Sequence, residues 1–88
     1  MPVLSMFYGI IIRMQRENGA RHHIPHIHVV CAEEEVVLDL EGNVLEGDLK
    51  PSKMKLVQAW MEIHKEELAA NWKLLSEGEH SFQIEPLR

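Results

Sequence analysis

The sequence predicts an α+β fold: an antiparallel meander of three to five strands over residues 1–49, with one long or kinked amphipathic helix over 51–78 packed on one face. Three observations carry this expectation. Short segments with strand-like alternation recur through the first half, joined by connections too short for a crossover helix. After Pro51 the hydrophobic spacing changes from two residues to three and four. With 88 residues, 45% of them apolar, the chain has enough for one layer of sheet and one of helix around one core. Residues 1–88 are therefore read as a single domain.

Met6 to Met14 (MFYGIIIRM) is rich in β-branched and aromatic residues on both alternating faces, and reads as a central strand buried on both sides. Tyr8, Ile10, Ile12 and Met14 share one face, and Phe7, Gly9, Ile11 and Arg13 the other. Gln15 to Pro25 is polar and contains the turn dipeptide Asn18-Gly19. His26 to Cys31 (HIHVVC) and Val36 to Leu40 (VVLDL) both alternate like strands, Glu41-Gly42-Asn43 makes the next turn, and Val44 to Leu49 adds a short strand.

Pro51 suits the first helical turn, where its missing N–H costs nothing. Val57, Met61, His64, Leu68, Trp72 and Leu75 then form a stripe flanked by Leu56, Trp60 and Ile63, running to Gly78 as a C′ residue. An unbroken helix of roughly 27 residues would be about 40 Å long, so a kink or break is expected between His64 and Glu66. Ser81 to Leu87 (SFQIEPL) alternates again and offers an edge strand, stopped by Pro86. The structural core is expected from Tyr8, Ile10, Ile12, Ile27, Val29, Leu38, Trp60, His64, Leu68 and Trp72. Asn71 beside Trp72 offers a bond to a loop.

Charge is unevenly spread. Residues 1–31 carry Arg13, Arg16 and Arg21 against Glu17, with four of the six histidines. Residues 32–49 hold Glu33, Glu34, Glu35, Asp39, Glu41, Glu46 and Asp48 and no base; 50–88 balance. The net charge of −5 therefore sums a cationic front and an acidic middle, and opposes phosphate affinity. One cysteine, Cys31, excludes an internal disulfide and fits a reducing cytoplasm, with Cys31 itself an inert core residue. The apolar run Val3 to Ile12 is too short to span a bilayer and lacks the flanks of a signal peptide, so no membrane association is expected.

The segment Arg21 to Cys31 (RHHIPHIHVVC) places four histidines within seven residues. In a strand Ile27, Val29 and Cys31 turn to the helix-covered core, which sets His26 and His28 side by side on the opposite face. A hairpin turning at Glu33-Glu34 puts Asp39 opposite His28, and Arg13 completes a patch of Arg13, His26, His28 and Asp39. Three chemistries fit these residues. A divalent metal would take nitrogens from His26 and His28 plus His22 or His23, with Asp39 as ligand or second-sphere partner. Acid–base chemistry on a phosphodiester would use His26 and His28, with Arg13 or Arg21 on the phosphate. Alternatively the histidines bond loop carbonyls and hold the segment in place. No cofactor other than such a metal is called for.

The chain resembles a small bacterial family, the domain of unknown function DUF4160, over nearly its full length. The resemblance rests on Phe7-Tyr8-Gly9-Ile10 with Ile12 and Met14, on His22 to Val29, and on Trp60, His64, Glu67-Leu68 and Asn71-Trp72. The family's histidine, Pro-Pro, H-x-H pattern falls on His22, Pro25, His26 and His28, with Ile24 where a proline is usual, Arg21 where an acid is common, Ile27 where an aromatic is common, and His23 in addition. The resemblance implies that His22, His26 and His28 act as a set, and it implies a toxin–antitoxin-like two-gene context; some descriptions of such proteins say transcriptional regulator instead. The expected function is then a cytoplasmic protein–protein interaction component with a small protein partner, a homo-oligomer, or both. The competing expectation is a histidine-dependent ribonuclease-like toxin or a divalent-metal-binding protein. DNA binding ranks third, for no helix-turn-helix spacing is visible.

Overall fold

The computed structural model describes residues 2–15 and 24–88. Five strands, β1 (Val3–Phe7), β2 (Ile10–Arg13), β3 (His26–Cys31), β4 (Glu34–Asp39) and β5 (Val44–Gly47), form one antiparallel sheet in the order β1-β2-β3-β4-β5. Two helices follow, α1 (Pro51–Ile63) and α2 (Lys65–Ser76). The class is α+β, and the meander is as expected.

The expected single strand over 6–14 is instead the β1–β2 hairpin. Phe7 pairs with Ile10, which leaves Tyr8 and Gly9 as a two-residue turn with φ of 49° and 78°. Positive φ at both central positions is the geometry whose twist matches the flanking strands. Gly9 adopts it freely, whereas Tyr8 does so against steric resistance. Tyr8 is consequently 55% exposed rather than a core residue. The place assigned to it is filled by Leu4 and Phe7, which reach the core from β1 across a bulge between Val3 and Ser5.

Ile10, Ile12, Ile27, Val29 and Leu38 are fully buried as expected, joined by Met14 and Val36. Val57, Trp60, Met61 and Leu68 meet them from the helices, with the Phe7 and Trp60 rings 5.6 Å apart. Trp72 and Cys31 are partly buried against the same cluster. Lys53 Nζ donates to the Tyr8 carbonyl (2.7 Å), Glu34 accepts from the Lys50 N–H (3.0 Å) and Gln58 donates to the Gly42 carbonyl (3.1 Å), which ties α1 to three turns of the sheet.

The single helix expected over 51–78 is likewise replaced by two helices meeting at His64, inside the 64–66 stretch where length argues for a break. An unbroken helix of about 40 Å would overhang a molecule whose longest extent is 34 Å. His64 has φ −110° and ψ 28°, and its Nδ1 bonds the Glu67 carboxylate, so its ring is only partly buried. Beyond Ser76, Gly78 (φ 79°) closes α2: Gly78 N–H bonds Leu75 O and Glu79 N–H bonds Leu74 O. This is the paired closure that glycine at C′ permits.

Residues 81–87 do not form the expected edge strand. Only the Ile84 N–H reaches β1, at Leu4 O (2.8 Å). The rest of the segment is gripped by side chains: Asn71 bonds both N–H and C=O of Phe82, and the Trp60 indole donates to Glu85 O (2.8 Å). A buried indole N–H needs an acceptor, and here an extended strap supplies it.

Candidate functional site

The site is built on β3, whose alternation sets residues of even number on one face. His26 and His28 lie side by side on it, with ring centroids 5.2 Å apart. Cross-strand pairing extends the face into rows. Arg13 stands opposite His28, which stands opposite Val37, which stands opposite Glu46. His26 pairs with Asp39.

This register corrects the expected one by two residues: His28 faces Val37, not Asp39. The cause is the turn. Cys31 pairs with Glu34, leaving Ala32 and Glu33 as the two-residue loop, with Ala32 at φ 54°. Ala32 takes this positive φ although it carries a Cβ, as Tyr8 does at the β1–β2 turn. Because the correction is even, the membership of the face is unchanged.

His26 is fully buried. Its Nδ1 lies 2.7 Å from the Ile24 carbonyl, an acceptor only, so Nδ1 is the donor in this bond. The ring also packs against Trp72 of α2, centroids 5.3 Å apart. The histidine face is therefore not wholly separate from the helical layer, as alternation alone implies; α2 reaches the end of β3 where His26 begins. His28 is less enclosed, with Nδ1 3.9 Å from a Glu35 carboxylate oxygen. That distance is an ion-pair separation and too long for a hydrogen bond.

Asp39 is adjacent to His26 along the ladder, but its oxygens are engaged in the following turn. Oδ1 accepts from the N–H groups of Glu41 and Asn43 (both 2.9 Å), and Oδ2 from the Asn43 side chain (3.1 Å). Partial burial pushes its pKa up, but the hydrogen bonds from Asn43, Glu41 and Gly42 outweigh this and leave it below the ordinary 3.8. An Asx-type turn of this kind stabilises the ionised carboxylate and closes the β4–β5 connection.

Of the metal candidates, His22 and His23 lie outside the described residues, as does Arg21 of the phosphate reading. Among the described residues no three His, Cys, Asp or Glu side chains are placed to share an ion. His26 and His28 are brought together, Arg13 joins them through the ladder, and Asp39 is committed elsewhere. Sequence reasoning missed Trp72 as a neighbour of His26. It also missed Trp60 as a donor to the strap, although a buried Trp always raises the question of where its N–H goes.

A second surface is set by topology. β5 is a terminal strand, with Val44 half exposed and Glu46 and Gly47 exposed. The acids Glu33, Glu34, Glu35, Glu41 and Asp48 are exposed on and around β4 and β5. Among the described residues no helix is long and apolar enough to cross a membrane.

Residues 9–73 match the family model described as "Domain of unknown function (DUF4160)". Neither the curated proteins nor the solved structures contain a match to the chain.

Proposed function

The chain belongs to the DUF4160 family, and on that premise we propose that it is a bacterial, cytoplasmic protein–protein interaction component of a toxin–antitoxin-like two-gene module. Its partner is a small basic protein that docks on the β5 side of the sheet. The observation that supports this reading is the position of β5 at the sheet edge within the acidic stretch. Edge strands offer unpaired backbone groups, and acidic flanks repel a second copy of the same edge while attracting a cationic one. The burial of His26 points the same way, since a ring packed against Trp72 and bonded to Ile24 resembles a structural joint more than an open catalytic base.

Co-expression with the adjacent small gene tests it. The neighbour's product is expected to co-purify, to bind about tenfold more weakly to a Val44→Lys/Glu41→Lys variant, and to bind a His26→Ala/His28→Ala variant almost unchanged. Binding should weaken as salt rises past the range where the Debye length falls below about 10 Å. Absence of any co-purifying product, or equal loss in the histidine variant, removes the reading.

A second reading is supported by the 5.2 Å approach of His26 and His28 and by the carbonyl that orients His26. It makes the His22/His26/His28 set a divalent-metal site or the centre of a ribonuclease-like toxin, with Arg13 beside it. Metal analysis of untagged protein and growth on overexpression test this. Stoichiometric metal or growth arrest, lost in a folded His26→Ala variant, would favour it over the first.

A further inference from the structure

The C-terminal strap lies against β1, yet among the described residues a single backbone bond joins them, Ile84 N–H to Leu4 O (2.8 Å). Local chemistry accounts for the poor match. A bulge between Val3 and Ser5 interrupts the pairing of β1 with β2 and bends the strand. On the other side Pro86 has no N–H to give. Phe82 and Glu85 of the strap are bonded to Asn71 and Trp60 of the helices. A hollow of about 210 Å³ lies between strand and strap, lined on β1 by Val3, Leu4, Ser5 and Met6 and on the strap by Gln83, Ile84 and Pro86.

The lining selects a chemistry. Five of these side chains are apolar, and Ser5 and Gln83 are polar; among the described residues none in the lining is charged. An ion entering the hollow would lose water with no opposite charge to replace it. Ser5 is 6% exposed, and its hydroxyl has no hydrogen-bond partner among the described residues. A buried hydroxyl left in this way costs stability, and because it both donates and accepts, either kind of group satisfies it. Phe7 and Ile10 bond to each other across the two-residue turn, so alternation points the N–H and C=O of Met6, like those of Leu4, to the outer edge of β1. Met6 therefore offers a second donor and acceptor at the same wall. Volume sets the size. A cavity of about 150 Å³ accommodates benzene, so 210 Å³ takes one ring and a small polar substituent.

We propose that the hollow between β1 and the strap is a binding site for an uncharged, ring-sized molecule bearing one amide or alcohol group. The ring packs against Val3, Leu4, Ile84 and Pro86, and the polar group bonds the Ser5 hydroxyl. That bond supplies a partner that the folded chain does not itself provide, which sets the order of preference. A hydrocarbon of the same size fills the volume and leaves Ser5 as it was. A carboxylate of the same size finds no cation. Neither the histidines nor β5 contribute to the lining, so this site stands or falls independently of both readings above.

Titration of the full chain with benzamide, toluene and benzoate, followed by the backbone amide resonances of Ser5, Met6 and Ile84, tests the inference. Benzamide is expected to shift all three saturably. Toluene should bind about fivefold more weakly, the difference that one neutral hydrogen bond makes, and benzoate should leave the three resonances in place. Ser5→Ala gives the second arm. It removes a hydroxyl that has no partner, so its Tm should not fall, and in it benzamide should bind no better than toluene. The inference is overturned by the absence of a saturable benzamide shift at these three amides, by equal affinity for benzamide and toluene, or by binding of benzoate. A preference for benzamide that survives in Ser5→Ala overturns it too. Should Ser5→Ala fail to fold, the three probes on the unaltered chain decide alone.

Discussion

Asp39 carries the acidic end of the β4–β5 turn, and its depressed pKa fixes when that contribution is present. Burial opposes ionisation, and the hydrogen bonds from Asn43, Glu41 and Gly42 more than offset it. A carboxylate whose folded pKa lies below its unfolded value stabilises the fold at pH above the unfolded value. The contribution is lost as pH falls through the folded value. Asp39→Ala is therefore expected to cost about 1 kcal/mol at pH 7, measured by urea denaturation. The difference from wild type should shrink below pH 3.8 and vanish in stronger acid; a constant difference from pH 7 to pH 2 would show that the hydrogen-bonded carboxylate is not its source. Tyr8 offers the opposite experiment. At φ 49° before Gly9, an asparagine fits the turn better than an aromatic. Tyr8→Asn should stabilise by about 0.5–1 kcal/mol and raise Tm by a few degrees. A lower Tm would mean that the edge contact between Tyr8 and Phe7 outweighs the backbone strain.

At the scale of elements, β5 depends on one glycine. A Cβ at Gly47 would sit 2.3 Å from the Glu35 carbonyl oxygen, and φ is 82°. Gly47→Ala should cost about 2 kcal/mol or more and raise amide exchange in 44–47, whereas a loss under about 0.5 kcal/mol would show that β5 is not held against Glu35. The same scale shows what the sequence could be made to yield. β3 was legible because HIHVVC alternates without ambiguity and Pro25 fixes its start. Gly78 was legible as a helix stop because few other residues accept its conformation. The β1–β2 hairpin was not, since Tyr-Gly between two apolar runs imitates a continuous strand, and a bulky residue at positive φ is something propensity argues against. Register at Ala32-Glu33 was missed for the same reason, although parity kept the histidine face intact. The break at His64 followed from length rather than from any helix-breaking residue. The grip of Asn71 on Phe82 joins residues eleven apart in the chain, and no periodicity announces it.

For the whole molecule, each sheet pairing joins neighbours in sequence, and the core forms where this meander meets α1 and α2. Among the described residues, β1 is joined to the C-terminal strap by the backbone bond from Ile84 N–H to Leu4 O. Residues eighty apart in sequence are thereby adjacent in space. A Gly-Ser linker joining Arg88 to Pro2 should therefore be tolerated, with new ends opened at the strained Tyr8-Gly9 turn. Such a circular permutant is expected to keep the wild-type far-UV spectrum, and to fall within about 2 kcal/mol of wild-type stability because the turn it cuts contributes little to burial. Loss of cooperative unfolding would show that the hairpin turn organises the sheet. Covalent closure would also place the strap under tension from both sides, so that the bonds of Phe82, Ile84 and Glu85 could break only together.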